Sequence, residues 1–556
     1  MKAHLLAACV AATLGMATAQ AAVITPVNLD PAGSGLNDTT PAAPVGGNPG
    51  TTVGQQRQIV YRFAADLLGT VLKSNVETRV GASFQALSCT ATSGTLGSAG
   101  AYWINADFPN APLSRAIYHS ALANALAGQN LNAGDAEYVY PDNIEITSRF
   151  NSQLGTANCL TTSGWYYGLD GNTPAGMINF LDVVIHEIAH GLGFSGFVNY
   201  TTGVLGGRAG ANGYTDPYTH NAWDNLQNRR FDDPAMTNAQ RALSIRTRGA
   251  PAWAGVSGKA QVPLWLDQAT VLEVSGGATS VVSQFFGVAS FGPPATAANF
   301  NAPLVVVNDG VGDTADACEP LAPGSLTGKI AYINRGTCSF EPKTVNAQNA
   351  GAVGVIIGNV ASSSDPGTAP GMAEDPTVTA TIPALSVNLA DANTIKAGSN
   401  LTARLGTVAG QYAGADASGR ALLYAPAVVA SGSSFSHYET VLKPDALMEP
   451  ANTPSTNGAY VVDLTLATFA DMGWVLDSSN TSINGCDTGI RRFTNPGVFI
   501  GANLVANERV CRIQANGNRV RYLACVNGVA DDLQELGLIG AADKVKVRTC
   551  ATKAVL

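Results

Sequence analysis

Charged side chains are scarce in this sequence. Asp, Glu, Lys and Arg make up 13% of the 556 residues, about half of the ~25% that soluble proteins usually carry. This composition excludes a charge-rich disordered chain, a coiled coil and a collagen. The formal net charge of −9 argues against nucleic-acid binding by the chain as a whole. No apolar run reaches the roughly 20 residues that span a bilayer, so we expect no membrane span.

Histidine and cysteine are also rare, with six and nine residues respectively. One cysteine, Cys9, lies within residues 1–21, where Lys2 precedes a short apolar core and small residues form A-x-A cleavage sites. This is the pattern of a secretory signal peptide. We therefore predict an exported protein, secreted or periplasmic, that loses Cys9 with its leader.

The remaining cysteines are even in number, which in an exported chain indicates disulfides. The sequence alone does not fix their pairing. Proximity along the chain favours Cys89 with Cys159, Cys318 with Cys338, and two bridges among Cys486, Cys511, Cys525 and Cys550.

Changes in composition divide the chain into parts. Residues 22–52 are rich in Pro, Gly, Asn and Thr and predict a flexible lead-in. Residues 55–72 have the helical period, whereas residues 76–87 and 143–150 have the pattern of strands. Helix, strands and a later helix that carries a site predict an α+β fold.

Residues 290–408 have a different sequence pattern from the rest of the chain. Three short β-like runs, at 304–307, 329–333 and 354–358, are separated by Gly, Asp and Pro, and residues 343–350 have a helical pattern. This pattern predicts a separate small α/β module.

Residues 479–556 form a predicted Cys-containing C-terminal domain. From Cys486 onward this tail has ten basic and six acidic side chains. Three interpretations stay open: an accessory domain held by disulfides, a domain that binds anionic surfaces, and a removable propeptide.

Residues 186–190 read His-Glu-Ile-Ala-His, the pattern H-E-x-x-H. Apolar residues recur around them at three- and four-residue steps, which predicts an amphipathic helix with Asn179 as its N-cap. On such a helix His186 and His190 project from one face, one turn apart. Two imidazoles at this spacing bind one Zn2+, and Glu187 beside them is placed to act as a general base in peptide-bond hydrolysis.

A hydrolytic zinc site needs a third protein ligand. In the metzincin pattern H-E-x-x-H-x-x-G-x-x-H, Gly193 matches the glycine, but Gly196 stands where the third histidine is expected. His119 and His220 are interpreted as surface or hydrogen-bonded histidines. His437 is followed by the stretch Leu-Met-Glu-Pro at 447–450.

Two blocks of this sequence carry a resemblance to a known family. HEIAHGLGF at 186–194 and SHYETVLKPDALMEP at 436–450 together resemble the leishmanolysin-like metzincins, in which an insertion displaces the third histidine. The resemblance implies that His437 is the third zinc ligand and that Met448 is the Met-turn residue under the metal. Residues 458–474 look like the family's closing helix.

The long gap before His437 is explained if a domain is inserted there. Residues 317–359, with RGTCSF at 335–340 and Lys343, resemble the protease-associated (PA) domain. The resemblance extends over about 290–408 and implies a non-catalytic module, which we expect to act as a lid or specificity filter.

The sequence thus predicts an α+β metzincin-type zinc protease domain, in two parts at 53–289 and 409–478, that is split by an α/β PA domain and followed by the C-terminal domain. The expected function is a secreted zinc endopeptidase that acts on proteins or peptides, with one catalytic zinc ion. Calcium at Asp170 or Asp216 is a further expectation, although ordinary turn roles are favoured there.

Two other functions remain open at this point. A non-catalytic binding or adhesion protein on a metzincin scaffold has no chemical need for Glu187. A zinc exopeptidase with a PA domain is less consistent with H-E-x-x-H, because such enzymes use Asp, Glu and His at scattered positions.

Overall fold

The structure is a computed structural model that describes residues 20–133 and 144–556. The predicted signal peptide lies outside these residues except for its last two. The helices are α1 (Val53–Val71), α2 (Ser120–Ala127), α3 (Phe180–Leu192), α4 (Pro217–Asn221), α5 (Asn238–Ser244), α6 (Val256–Trp265), α7 (Phe340–Asn349), α8 (Leu389–Lys396), α9 (Thr465–Met472), α10 (Gly501–Ala515), α11 (Arg519–Glu535) and α12 (Ala541–Ala551). None of the helices in the described ranges is both long and apolar enough to span a membrane.

The strands are β1 (Ile24–Asn28), β2 (Leu72–Lys73), β3 (Thr78–Gln85), β4 (Gly97–Ala101), β5 (Ile104–Ala106), β6 (Ile117–His119), β7 (Ile146–Asn151), β8 (Gly164–Tyr166), β9 (Met177–Asn179), β10 (Ala222–Asp224), β11 (Arg229–Arg230), β12 (Pro251–Trp253), β13 (Gln268–Gly276), β14 (Thr279–Ser283), β15 (Gly287–Val288), β16 (Asn301–Val306), β17 (Ile330–Asn334), β18 (Gly354–Gly358), β19 (Ala384–Val387), β20 (Leu401–Tyr412), β21 (Val461–Asp463), β22 (Val475–Leu476), β23 (Asn480–Ile483), β24 (Cys486–Arg491), β25 (Phe493–Thr494) and β26 (Gly497–Phe499). The chain is therefore an α+β protein, as predicted.

The N-terminal part is built on a four-stranded sheet in the order β1-β3-β7-β4. The first three strands are parallel, and β4 runs antiparallel to β7 at the edge of the sheet. Helices α1 and α3 share one hydrophobic core with this sheet and with residues that follow His437 in the chain. The helix that carries the H-E-x-x-H motif is therefore buried against the sheet, α1 and the second half of the chain.

Residues 22–52 are not a flexible lead-in, so this prediction is wrong. Strand β1 pairs with β3, and the Asp30 carboxylate accepts hydrogen bonds from the backbone N–H groups of Leu36 (2.7 Å) and Phe84 (3.0 Å). The buried Asn48 carboxamide donates to two main-chain carbonyl groups. The polar residues that suggested flexibility are turn residues with partners inside the fold.

Residues 268–412, which we call the inserted unit, form an eight-stranded mixed sheet in the order β14-β13-β20-β16-β17-β18-β19-β15. Successive residues of β17 face opposite sides of the sheet, as the pleat requires. Ile330 and Tyr332 lie in one hydrophobic cluster, and Ala331 and Ile333 lie in another. The inserted unit therefore has a core on each face of its sheet.

The inserted unit is longer than the predicted 290–408. Strand β13 pairs antiparallel with β20 from Gln268 opposite Tyr412 onward, and β14 and β15 also precede residue 290. Residues 268–289 thus contribute three strands, β13, β14 and β15. They belong to the unit because β13 covers an edge of β20 that would otherwise be unpaired.

The two halves of the chain around the inserted unit are joined by backbone hydrogen bonds. The Trp253 N–H donates to the carbonyl of Ala421 (2.7 Å), and the Leu423 N–H donates to the carbonyl of Pro251 (2.9 Å). These bonds return the second half of the chain to the side of α3.

The closing helix is shorter than the predicted 458–474, because α9 begins only at Thr465. Asp463 ends strand β21 with a φ of 47°, in the left-handed region. Its carboxylate accepts hydrogen bonds from the N–H and hydroxyl groups of Thr465 and from the Leu447 N–H. These contacts hold a sharp turn where the sequence pattern predicted a continuous helix.

Four disulfides join the eight cysteines of the described chain. The two predicted local pairs are confirmed, and the last four cysteines also form two bridges, the four bonds being Cys89–Cys159, Cys318–Cys338, Cys486–Cys550 and Cys511–Cys525.

The C-terminal part consists of helices α10, α11 and α12 with the hairpin β23–β24. Ala502, Ala506 and Val510 of α10 belong to the same core as α1, and Arg509 forms an ion pair with the buried Asp66. This part therefore packs directly on the helix that supports the N-terminal sheet.

We expect Asp30→Ala to lower the free energy of unfolding by about 1–3 kcal/mol, because it leaves buried N–H groups of Leu36 and Phe84 without an acceptor. Denaturant unfolding followed by circular dichroism measures this change. Glu374→Ala, at an exposed position, is the control. Equal stability of the two variants would contradict an ordered N-terminal segment.

Candidate metal centre

Helix α3 presents the two histidines of the motif. The side-chain oxygen of Asn179 accepts a hydrogen bond from the Leu181 N–H (2.9 Å), which confirms the predicted N-cap. The helix ends at Gly193, whose φ of 126° is readily adopted only by glycine. His186 and His190 lie between these ends, one turn apart on the same face.

The chain after α3 has no room for a histidine at position 196. A Cβ atom on Gly196 would lie 2.8 Å from the Thr219 hydroxyl and 3.0 Å from the Phe435 ring. The Gly196 N–H donates a hydrogen bond to the Ser436 hydroxyl (3.2 Å). Because His437 follows Ser436, the segment that packs against Gly196 is also the one that brings in a third imidazole.

The three imidazoles meet at their Nε2 atoms. The separations are 3.0 Å between His186 and His190, 3.1 Å between His186 and His437, and 3.1 Å between His190 and His437. Two ligands of a tetrahedral zinc with Zn–N bonds of about 2.0–2.1 Å lie roughly 3.3–3.4 Å apart. The three nitrogen atoms therefore fit one zinc ion closely, and they form a group able to hold a metal.

The opposite nitrogen of each ring contacts a backbone carbonyl. The Nδ1···O distances are 2.7 Å from His186 to Leu447, 2.7 Å from His190 to Phe194 and 2.8 Å from His437 to Ser433. A carbonyl oxygen only accepts, so each Nδ1 carries the proton and each Nε2 presents a lone pair to the centre.

Burial keeps these rings neutral. It lowers the pKa of His186 to about 4 and that of His437 to about 3, and it lowers the pKa of His190 well below its usual value. Neutral imidazole is the form that binds a metal ion.

Glu187 lies beside the three histidines and is only 5% exposed. Burial raises its pKa to about 8, opposed by a hydrogen bond from the Ala99 backbone. Its Oε2 atom has no hydrogen-bond partner within the described residues. A Cβ atom on Gly97 would lie 2.5 Å from Oε1 of Glu187, so strand β4 can pass this close only with glycine there.

Met448 is fully buried in the core that contains α3. Its carbonyl accepts a hydrogen bond from the Tyr438 N–H (2.9 Å). The preceding residue, Leu447, supplies the carbonyl that contacts His186 and donates its own N–H to the Asp463 carboxylate. The turn at Met448 therefore fixes the acceptor that orients His186.

A cleft of about 840 Å³ runs past the three histidines. One wall is strand β4, the edge strand of its sheet. A sheet edge offers main-chain groups with which an extended peptide can pair. Residues 431–433, 436–437, 447, 449–452 and 456 also line the cleft.

The other two histidines among the described residues are not in the triangle. His119 is buried, with Nε2 2.9 Å from the Ser195 hydroxyl, and it lines the cleft. His220 contacts Asp232 through Nδ1 at 2.6 Å. Both are hydrogen-bonded, as predicted, although His119 is not at the surface.

The two aspartates considered for calcium have turn roles. Asp170 accepts a hydrogen bond from the Tyr166 hydroxyl (2.8 Å). Asp216 caps α4 by accepting the Thr219 N–H (2.8 Å). These contacts agree with the favoured interpretation from the sequence.

Sequence reasoning assigned no role in the site to two buried acids of the cleft, Asp182 and Glu449. Burial raises the pKa of each carboxyl group to about 7. The available signals were positional: Asp182 precedes His186 by one helical turn, and Glu449 directly follows Met448.

One segment of the chain matches a known family. Residues 300–395 match the family described as PA domain. These residues are a PA domain. The match lies inside the predicted 290–408 and inside the inserted unit, so an inserted PA domain in a mixed α+β chain is confirmed.

Curated relatives match the chain over short stretches. They are a probable leucine aminopeptidase 2 of Aspergillus fumigatus (38% identity over 93 residues, 17% of each chain), the ER degradation-enhancing alpha-mannosidase-like protein 3 of Homo sapiens (52% over 58 residues, 10% of this chain and 6% of the relative) and the minor extracellular protease Vpr of Bacillus subtilis (30% over 106 residues, 18% and 12%). The chain thus spans between 6% and 17% of these relatives. Their names differ in activity, so the matches do not specify one reaction.

Solved structures give only a weak likeness. The zinc aminopeptidase BSAP of Bacillus subtilis has 22% identity and a TM-score of 0.19, with 28% of this chain and 36% of that chain covered. A TM-score this low carries no argument about the metal centre.

We expect His437→Ala to weaken zinc binding by at least about 100-fold, because it removes one of three ligands. Competition with a chromogenic chelator measures the affinity. His220→Ala, which removes a histidine outside the triangle, is the matched control. Unchanged affinity in His437→Ala would remove this residue from the ligand set.

Proposed function

We propose that the protein is a zinc-dependent endopeptidase in which His186, His190 and His437 hold the metal and Glu187 is the general base. The observation that carries this proposal is the triangle of Nε2 atoms, 3.0–3.1 Å apart, with a buried carboxylate beside it. A bound zinc ion supplies a Lewis acid and makes a water molecule acidic near neutral pH.

The residues of the chain have distinct tasks in this hydrolysis. The Glu187 carboxylate accepts the proton of the attacking water and then delivers it to the leaving nitrogen of the peptide. On β4, the Ala99 backbone forms a hydrogen bond with that carboxylate. Gly97, which has no Cβ atom, leaves room for it. The β4 edge binds the substrate backbone in an extended form, so the scissile bond lies across α3.

We further propose that the catalytic part is a leishmanolysin-like metzincin. In support, the PA domain lies between the second and third histidines, and Met448 occupies a buried turn whose preceding residue orients His186. The departure from the shorter metzincin motif has a steric basis, because Gly196 packs against the segment that carries His437.

Substrates and location follow from the same features. An open cleft with an edge strand suits proteins and peptides in extended conformation. Four disulfides require an oxidising compartment, which supports secretion or a periplasmic location after removal of the predicted leader.

An aminopeptidase is the second candidate, since the similarity to a probable leucine aminopeptidase spans 93 residues. Peptides acetylated at the N-terminus and amidated at the C-terminus separate the two activities. An endopeptidase cleaves these blocked peptides internally, whereas an aminopeptidase requires a free N-terminus. Failure to cleave blocked peptides, with cleavage of free ones, would favour the second candidate.

We expect Glu187→Gln to keep the zinc ion and to lower kcat/KM by about 100- to 10,000-fold, because the ligands remain and the proton acceptor is lost. Cleavage of a quenched fluorescent peptide and zinc content per chain are measured together. Glu374→Gln, an exposed site, is the control. Comparable activity in both variants would reject Glu187 as the base.

We expect Gly97→Ala to reduce activity strongly, because a Cβ atom there would lie 2.5 Å from Glu187 Oε1. Gly100→Ala on the same strand is the matched comparison, since its Cβ atom would meet nothing within 4 Å, and it should keep most of the activity. Zinc content and thermal stability are measured in parallel. Equal losses in the two variants would contradict the close approach of β4 to Glu187.

A further inference from the structure

The charged residues of the cleft are segregated around the metal centre. The residues that line it include three carboxylates, Asp182, Glu187 and Glu449, and one arginine, Arg208. Glu187 is assigned to the reaction above, which leaves two carboxylates and one guanidinium without a role.

Both unassigned carboxylates lie on the His186 side. Asp182 precedes His186 by one turn of α3, so the two side chains share a helix face. Glu449 is two residues after Leu447, whose carbonyl contacts His186 Nδ1 at 2.7 Å.

Arg208 lies on the other side of the triangle. Its Nη1 donates to the Gly196 carbonyl (2.9 Å), and the Gly196 N–H contacts Ser436, the neighbour of His437. The only other titratable cleft residue on this side, among those described, is His119, whose pKa burial lowers to about 3. The two unassigned carboxyl groups of the cleft therefore lie on one side of the metal centre, and its arginine lies on the other.

Glu449 is the buried cleft carboxylate that directly follows Met448. Its side chain is 4% exposed, and Oε1 accepts the Ala446 N–H at 2.9 Å. Within the described residues it forms no ion pair, and the nearby Lys443 is paired with Asp445. A buried carboxylate without a cation is costly, and a cation brought by a ligand removes that cost.

We propose that Glu449 is a specificity-determining residue that binds a cationic side chain, Lys or Arg, of the substrate next to the scissile bond on the His186 side of the cleft. This inference rests on the proposed endopeptidase function. Asp182 adds negative charge to the same side, and Arg208 disfavours a cation on the opposite side. The substrates are thus peptides with a basic residue at one defined position.

Paired peptides test the proposal with the zinc-loaded full-length protein. Each pair differs only in having lysine or norleucine, an uncharged analogue of similar length, at one position flanking the cleavage site. We expect the wild type to favour lysine over norleucine at one position by about 10- to 100-fold in kcat/KM. This ratio corresponds to the free energy of one hydrogen bond to a charged group. Glu449→Gln should abolish that preference, because the amide keeps an acceptor for Ala446 but carries no charge.

Asp445→Asn is the matched control. It removes a carboxylate four residues away that is paired with Lys443 and does not line the cleft, so the lysine preference should persist. A wild type that cleaves lysine and norleucine peptides equally, or a Glu449→Gln variant that keeps the preference, would overturn the proposal.

A binding measurement separates this proposal from the endopeptidase assignment. Zinc-loaded Glu187→Gln is titrated with the same peptides carrying a fluorophore, and anisotropy reports the affinity. Tighter binding of the lysine peptides, lost on adding Glu449→Gln, supports the cationic site even if the wild type cleaves nothing, in which case only the proposed activity fails. Equal affinities would overturn the cationic site.

Discussion

Three backbone carbonyl groups determine the direction in which the histidine rings point, and the arrangement of the chain around them serves to hold these carbonyls in place. They belong to Phe194, Ser433 and Leu447, which lie in three separate turns. The turn after α3 depends on Gly193, and the Leu447 turn is tied to the Asp463 carboxylate. A carbonyl fixes both the tautomer and the plane of the imidazole it accepts from. The orientation of the three imidazole rings therefore depends on the backbone geometry of these turns.

This dependence explains how a large domain can separate the second and third histidines. The Ala413 N–H donates to the Asp267 carbonyl (2.9 Å), and the Asp267 N–H donates to the Lys443 carbonyl (2.7 Å). The chain thus leaves and re-enters the N-terminal part at almost the same point. An insertion with adjacent ends adds little strain to its host, and the cost of closing a longer loop grows slowly with length. The inserted unit can be large without moving the Leu447 or Ser433 turns.

Most of the features that the sequence predicted correctly are local. The spacing of His186 and His190, the cap at Asn179 and the strand at 354–358 depend on residues within one or two turns of each other. His437 was identified only through a family resemblance, because no periodicity links residues that are 247 positions apart. The lead-in was misjudged for the same reason: the partner of Asp30 is Phe84, which composition cannot indicate. At these positions the structure is determined by contacts between distant parts of the chain, which local sequence patterns do not reveal.

The unsatisfied polar atoms of the site are best explained together. Three Nε2 lone pairs point at one another across about 3 Å, and Glu187 Oε2 has no partner within the described chain. Each such acceptor costs free energy when it is buried. The fold gathers four of these acceptors in one place and fixes three of them through carbonyl groups in separate turns. This arrangement lowers the stability of the protein without a bound metal ion. A cation that binds the three nitrogens, with a water molecule that contacts the carboxylate, satisfies all four atoms at once. Binding of the cation thus offsets the free-energy cost of burying these acceptors. The three carbonyl contacts keep the imidazole rings from rotating toward other partners.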